Sequence, residues 1–190
     1  MSALEAAARW YLVLMVCSWA FAPLVRWLCA ALPDRGATIL RPVALLGAIY
    51  PAWVLASLNV LPFGSAPVVA TLVIVAVIGW YHVLRQPDRD TGWLRSLGWT
   101  ELATFALFVL YVWFRGFTPD ILNTEKPMDV SLLASSARSV VVPPPDPWFA
   151  GQPINYYYLG YLIHGSVARL AGVAAPIAFN LALASIFSMT

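Results

Sequence analysis

Long apolar stretches constrain this chain more than any other feature. A helix needs roughly 20 apolar residues to cross a hydrocarbon core of about 30 Å. Trp10 to Leu32, Ile39 to Leu61, Ala66 to Leu84 and Trp99 to Phe114 read as four such helices. Pro23 and Arg26 interrupt the first, and Pro42 and Pro51 lie in the second. The third carries no Asp, Glu, Lys or Arg at all. Tyr156 to Val173 reads as a fifth span, less apolar, with His164 and Arg169 inside it. Pro176 to Thr190 starts a sixth, but fifteen residues reach only about 22 Å. The chain therefore reads as the N-terminal part of a longer protein, an all-α integral membrane protein of five to six spans.

Composition agrees. The 190 residues are 61% hydrophobic and 11% charged, with mean hydropathy +0.77, whereas soluble domains carry about 25% charge. A disordered chain, a disulfide scaffold and an ordinary cytosolic enzyme are excluded. Ten Arg and one Lys give a net charge of only +2, with no basic run, so no nucleic-acid partner is expected. Cys17 and Cys29 share one apolar stretch and read as small core residues.

Arginine counts set the expected sidedness. Arg35, flanked by Arg26 and Arg41, lies between spans one and two; Arg85, Arg89 and Arg95 lie between spans three and four. These two loops share a side, and their arginines assign it to the cytoplasm. The uncharged turn Pro62-Phe63-Gly64-Ser65, the N-terminus and the loop from Gly116 to Asn155 then face outward. The chain divides into four spans over 1–115, a long extracytoplasmic loop over 116–155, and 156–190 with the fifth span and the start of a sixth.

The outer loop holds four of the nine acidic residues, Asp120, Glu125, Asp129 and Asp146. Loops of this length are commonly functional or disordered, and this one is too rich in apolar residues to read as disordered. Pro127 suits a first helical turn, and Met128, Leu132, Leu133 and Ala137 continue at near-helical spacing. A surface helix near 127–139 is expected, with Glu125 just before it and Asp129 in its first turn. Both carboxylates then face one pocket at the lipid boundary, or serve only as charges at a helix start.

Further on, five prolines between Pro143 and Pro153 predict a stiff, extended segment without regular hydrogen bonding. Asp146 and Asn155 bracket Trp148, and the run Tyr156, Tyr157, Tyr158 follows directly on Asn155. These aromatics form either an interfacial belt or a wall for a sugar or lipid headgroup. On a helix, successive tyrosines point about 100° apart, so at most two would line one site. His164 is read as a hydrogen-bonded structural residue, or else as a metal ligand or proton relay. Arg169 and Glu101 are placed near the cytoplasmic interface, the first snorkelling and the second capping its helix. Arg115 is the best phosphate partner beside the acidic loop. Phosphate-loop, dinucleotide, zinc and nucleophile-elbow motifs are absent from the sequence.

Three motifs carry a resemblance. They are Thr124-Glu125-Lys126-Pro127-Met128-Asp129, then Pro144-Pro145-Asp146-Pro147-Trp148-Phe149-Ala150-Gly151, then Ile154-Asn155-Tyr156-Tyr157-Tyr158-Leu159-Gly160-Tyr161. Together with Ala178-Phe179-Asn180-Leu181 they resemble an uncharacterised family of prokaryotic multi-pass membrane proteins marked by a triple tyrosine. That family in turn resembles the C-type glycosyltransferases (GT-C), polytopic enzymes that take sugar from a polyprenyl-phosphate donor outside the membrane.

The resemblance implies a membrane glycosyltransferase of the prokaryotic cytoplasmic membrane, or part of one. Its catalytic carboxylate is Glu125 or Asp129. Arg115, Asp146, Trp148, Asn155, Tyr156, Tyr157 and His164 form the substrate-binding set. The implied partners are the bilayer, a polyprenyl-phosphate-linked sugar and further membrane subunits; any metal would be hard, Mg²⁺ or Mn²⁺. Two departures stand out: three spans precede the one leading into the loop, and the acidic pair is Glu125-x-x-x-Asp129. The competing reading is a non-catalytic subunit that binds lipid or another chain through the loop. A transporter ranks third, since spans two and three offer only Ser57, Asn59 and Thr71 as polar residues at depth.

Overall fold

The computed structural model describes residues 1–85, 91–123 and 125–190. Arg89 and Thr124, used above, lie outside them. The described residues form seven α-helices: α1 (Ala3–Leu28), α2 (Leu40–Ser57), α3 (Ser65–Arg85), α4 (Thr91–Gly116), α5 (Lys126–Arg138), α6 (Leu159–Ala171) and α7 (Ala175–Met189). Among them α1 to α4 are each long and apolar enough to cross a membrane.

Local chemistry starts α1. The Ser2 hydroxyl accepts from the Glu5 amide at 3.1 Å, and Glu5 then pairs with Arg9 at 2.6 Å one turn on. Pro23 and Pro51 both lie inside continuous helices. Opposite Pro23 stands Gly79 of α3, where a Cβ would come within 2.9 Å of the proline ring. In a bilayer, lipid is as apolar as leucine, so helices associate through close packing of small residues. Helix α2 shows this: Ala44, Ala48, Ala52 and Ala56 recur every fourth residue and are all buried. Gly47 faces Phe21 of α1 so closely that a Cβ would overlap its ring at 2.5 Å.

Contacts sort the helix ends into two sets. At one end, the α1–α2 turn packs Gly36 on Val25 and Cys29, and the Arg26 guanidinium lies 4.8 Å from the Trp93 ring. At the other, Phe63 donates its amide to Val140 at 2.8 Å, and Arg9 lies beside Gly172. The N-terminus, the α2–α3 turn and the loop after α4 therefore share one end of the bundle, here called the loop end.

Three expectations are corrected. The first is the fifth span at 156–173. Helix α6 has 13 residues, about 20 Å, and is too short to cross alone. It meets α7 at a 117° bend, so the two together make at most one span, giving four or five in all. Gly172 makes the bend, closing α6 with φ +66°, a left-handed conformation that favours glycine. Helix α6 lies across the loop-end termini of α1, α2 and α3 and packs along α5. Helix α7 then runs antiparallel to α4: Asn180 donates to the Pro119 carbonyl at 3.1 Å, and Phe187 meets Tyr111 at 4.9 Å.

The second correction is Arg169. It stands at the loop end and donates Nε to the Ala137 carbonyl at 2.6 Å and Nη2 to the Ser139 carbonyl. There it satisfies the carbonyls that the C-terminus of α5 leaves unpaired. The third is Glu101. Its helix begins ten residues earlier, so the carboxylate lies about 15 Å along α4. It caps nothing; it accepts from Arg41 at 2.7 and 2.8 Å and from the Tyr11 hydroxyl at 2.6 Å.

Candidate functional site

The acidic motif sits on α5, which runs parallel to α6 at the loop end. Pro127 stands in the first turn of α5, where its missing N–H costs nothing. The helix puts Glu125 and Asp129 on one face, and the Asp129 amide donates to the Glu125 carbonyl at 2.9 Å. The Glu125 side chain makes no cap bond and is exposed. Asp129 is half-buried and accepts from the Tyr161 hydroxyl of α6 at 2.6 Å.

That bond depends on how closely the two helices approach. One turn beyond Tyr161, Gly165 lies against the α5 backbone: a Cβ there would stand 2.9 Å from the Ala137 nitrogen. One turn further, Arg169 clamps the end of α5. Tyr161, Gly165 and Arg169 thus form one stripe at four-residue spacing. Burial pushes the Tyr161 phenol well above the ordinary tyrosine range, helped by the bond to Asp129 and by the negative charge of Glu125 nearby. Tyr161 therefore stays protonated and donates to a carboxylate.

The proline-rich segment is a small hairpin, not an unbonded strap. Asp146 donates its amide to Gln152 at 2.8 Å, Ile154 donates to Pro144 at 2.8 Å, and Pro145 bridges Pro153. The prolines fall where no N–H is needed, so the other residues make the ladder. The Asp146 carboxylate accepts from the amides of Trp148 and Phe149 at 2.8 and 3.1 Å, shaping the hairpin tip. The Trp148 indole donates to Ser131 at 2.6 Å, and the Ser135 hydroxyl donates to the Pro145 carbonyl, so the hairpin is fastened to α5.

The three tyrosines precede α6 and are not helical, so they do not fan out in 100° steps around a helix axis. Tyr156, Tyr157 and Tyr158 all line one open groove of about 280 Å³ with Trp53, Leu159 and Gly160. The Trp53 indole of α2 donates to the Tyr158 hydroxyl at 2.9 Å. Tyr156 and Tyr157 meet edge-on at 5.2 Å, and Tyr157 is 86% exposed. Asn155 is exposed at the entry to this run.

The remaining candidates turn elsewhere. Arg115 is buried and bends back on its own loop, donating to the carbonyl and hydroxyl of Thr118 and to the Asp120 carbonyl. Its guanidinium closes the C-terminus of α4, although Nε has no partner. The His164 Nδ1 lies 3.0 Å from the Gly160 carbonyl one turn back, and Nε2 is buried without a partner. Burial lowers the pKa of its imidazole. Among the described residues no three His, Cys, Asp or Glu side chains stand together as a metal site. Glu125 and Asp129 are two carboxylates, enough for a Mg²⁺ that completes its shell with water and phosphate oxygens.

Tyr161, Ser131 and Trp53 join this region without a role assigned to them from sequence, and Arg169, placed from sequence at the other end, joins it too. The four-residue spacing of Tyr161, Gly165 and Arg169 was the readable signal for part of it. Comparison with known proteins adds one finding: the family described as "Uncharacterized membrane protein (DUF2298)" matches residues 48–190. No curated protein and no solved structure matches the chain.

Proposed function

The chain belongs to the DUF2298 family of uncharacterized membrane proteins, and from that premise we propose that it is a membrane glycosyltransferase, or part of one. In this proposal the membrane is the prokaryotic cytoplasmic membrane, the loop end faces outward, and the donor is a polyprenyl-phosphate-linked sugar. One observation carries the reading. A pair of carboxylates, one exposed and one held by a protonated tyrosine, stands at the end of the bundle that also bears a tyrosine-lined groove.

The chemistry is a single inverting displacement. An acceptor hydroxyl attacks the anomeric carbon; the bond from that carbon to the phosphate oxygen breaks, and the lipid phosphate leaves. The proton of the hydroxyl passes to Glu125, which no helix-capping bond occupies. Asp129, fixed by Tyr161, orients the acceptor. Aromatic faces of Tyr156 and Tyr157 suit a sugar ring or the first isoprene units. A divalent cation held by Asp129 would neutralise charge on the phosphate and leave Glu125 to take the proton. Asp146 and Arg115 shape the loop around this region.

The test is transfer from a polyprenyl-phosphate sugar in membranes containing the full chain. Glu125→Gln and Asp129→Asn should each lower the rate at least about a hundredfold, the scale of general acid–base catalysis. Full activity in both variants, correctly inserted, refutes the mechanism.

A second reading has its own support. Only 11% of the most apolar window of α3, and 11% of that of α4, is buried. Lipid or further membrane helices cover those faces, as a non-catalytic subunit would require. On that reading both variants keep co-purifying with the same membrane partners and no transfer is found.

A further inference from the structure

The groove lined by the three tyrosines joins a membrane span to the loop end. It includes Trp53 of α2, about 6 Å from the loop-end terminus of that helix. One turn deeper, Tyr50 is half exposed and stacks on Trp53 with ring centroids 5.6 Å apart. Tyr156 and Tyr157 meet at 64° and so form a corner, not a flat face. A sugar ring stacks on a flat face. A compact ammonium group fits a corner and is drawn to the ring faces by their quadrupoles. The groove, of about 280 Å³, has room beside Gly160, where a Cβ would meet nothing within 4 Å.

We propose that this groove binds the ammonium headgroup of a zwitterionic phospholipid from the loop-end leaflet. The acyl chains leave along α2, past Tyr50, into the bilayer around that span. Charge complementarity favours this occupant. The described residues that line the groove are aromatic or apolar, and none is charged. Next to Gly160, the Tyr161 hydroxyl donates to Asp129 at 2.6 Å. Glu125 and the Tyr156 hydroxyl lie within electrostatic reach of the same phenol. Two carboxylates therefore add to the attraction for a cation. Lys126 follows Glu125 but lies about 100° round α5 from it. An anionic headgroup would meet those carboxylates and find no cationic side chain among the lining residues. The site goes beyond the transfer reading and does not depend on it; under that reading an arriving donor displaces the lipid.

An exposed aromatic ring favours a cation over a neutral group by about two- to fivefold. The full chain is reconstituted in bilayer discs of equal phosphatidylcholine and monoglucosyl diacylglycerol, released, and weighed intact with its retained lipids. Neither lipid carries a net charge, so the choice between them is ammonium against sugar. Two rings should give at least about a fivefold excess of phosphatidylcholine. The double variant Tyr156→Phe, Tyr157→Phe keeps both ring faces and should keep the excess. The double variant Tyr156→Leu, Tyr157→Leu removes them and should retain the two lipids nearly equally. Both residues are exposed, so neither change disturbs the core. An excess of the glucosyl lipid gives the groove to a sugar ring and overturns the proposal, as does equal retention by the unaltered chain. Loss of the excess in the phenylalanine variant also overturns it, because hydroxyls and not ring faces then hold the lipid. So does an excess undiminished in the leucine variant, because the lipid is then bound elsewhere.

Discussion

The ion pair between Arg41 and Glu101 places two charges largely out of solvent, and removing one partner tests what that costs. The Arg41 side chain is 6% exposed and that of Glu101 25%. At 2.7 Å, with an effective dielectric near 20, their attraction is about 6 kcal/mol before desolvation is counted. Desolvation offsets much of it, so the net value of the pair is small. Breaking it is not small. Arg41→Met leaves Glu101 with only the Tyr11 hydroxyl, and Glu101→Leu leaves a buried guanidinium whose Nη1 already lacks a partner. Each single change should cost about 3–5 kcal/mol. The double variant removes both charges and should lie within about 2 kcal/mol of the unaltered chain. The assay is a double-mutant cycle on unfolding in mixed micelles titrated with sodium dodecyl sulfate. Coupling of about 3 kcal/mol or more is expected. If the two single effects simply add, to within about 0.5 kcal/mol, the charges do not depend on one another and the reasoning fails.

Two further predictions rest on single contacts. Gly165→Ala places a methyl group 2.9 Å from the α5 backbone, and overpacking of this kind costs about 1–3 kcal/mol. Its thermal midpoint should fall. A rise, which alanine's better helix propensity alone would produce, would show that the helices are not in such close contact. Asp34 has its pKa lowered, first by the Thr38 amide, so its contribution to stability is present above the ordinary carboxylate value. That contribution is lost as pH falls through the lower folded value. Asp34→Asn should therefore flatten the acid limb of the stability–pH curve below about pH 4 and leave the neutral region's slope unchanged.

Hydropathy makes α1 to α4 legible because a membrane span is a local property: each helix satisfies its own backbone hydrogen bonds, whatever its neighbours do. The start of α5 is legible for the same kind of reason, since Pro127 acts on its own turn. That Glu125 and Asp129 share a face follows from a spacing of four. Local rules fail where a neighbour supplies the decisive group. A window average made Tyr156 to Val173 look like a span. Its first three residues are held outside the helix, with Trp53 bonded to Tyr158, and Gly172 turns the chain 117° into α7. The sequence assigns Arg41, Glu101 and Arg169 a charge but no partner. Arg41 and Glu101 are sixty residues apart, and Arg169 finds its carbonyls thirty residues upstream. Apolar character is additive along the chain and can be summed from residues. The pairing of a buried charge depends on which distant atoms packing brings within 3 Å, and that is set only once the helices have docked.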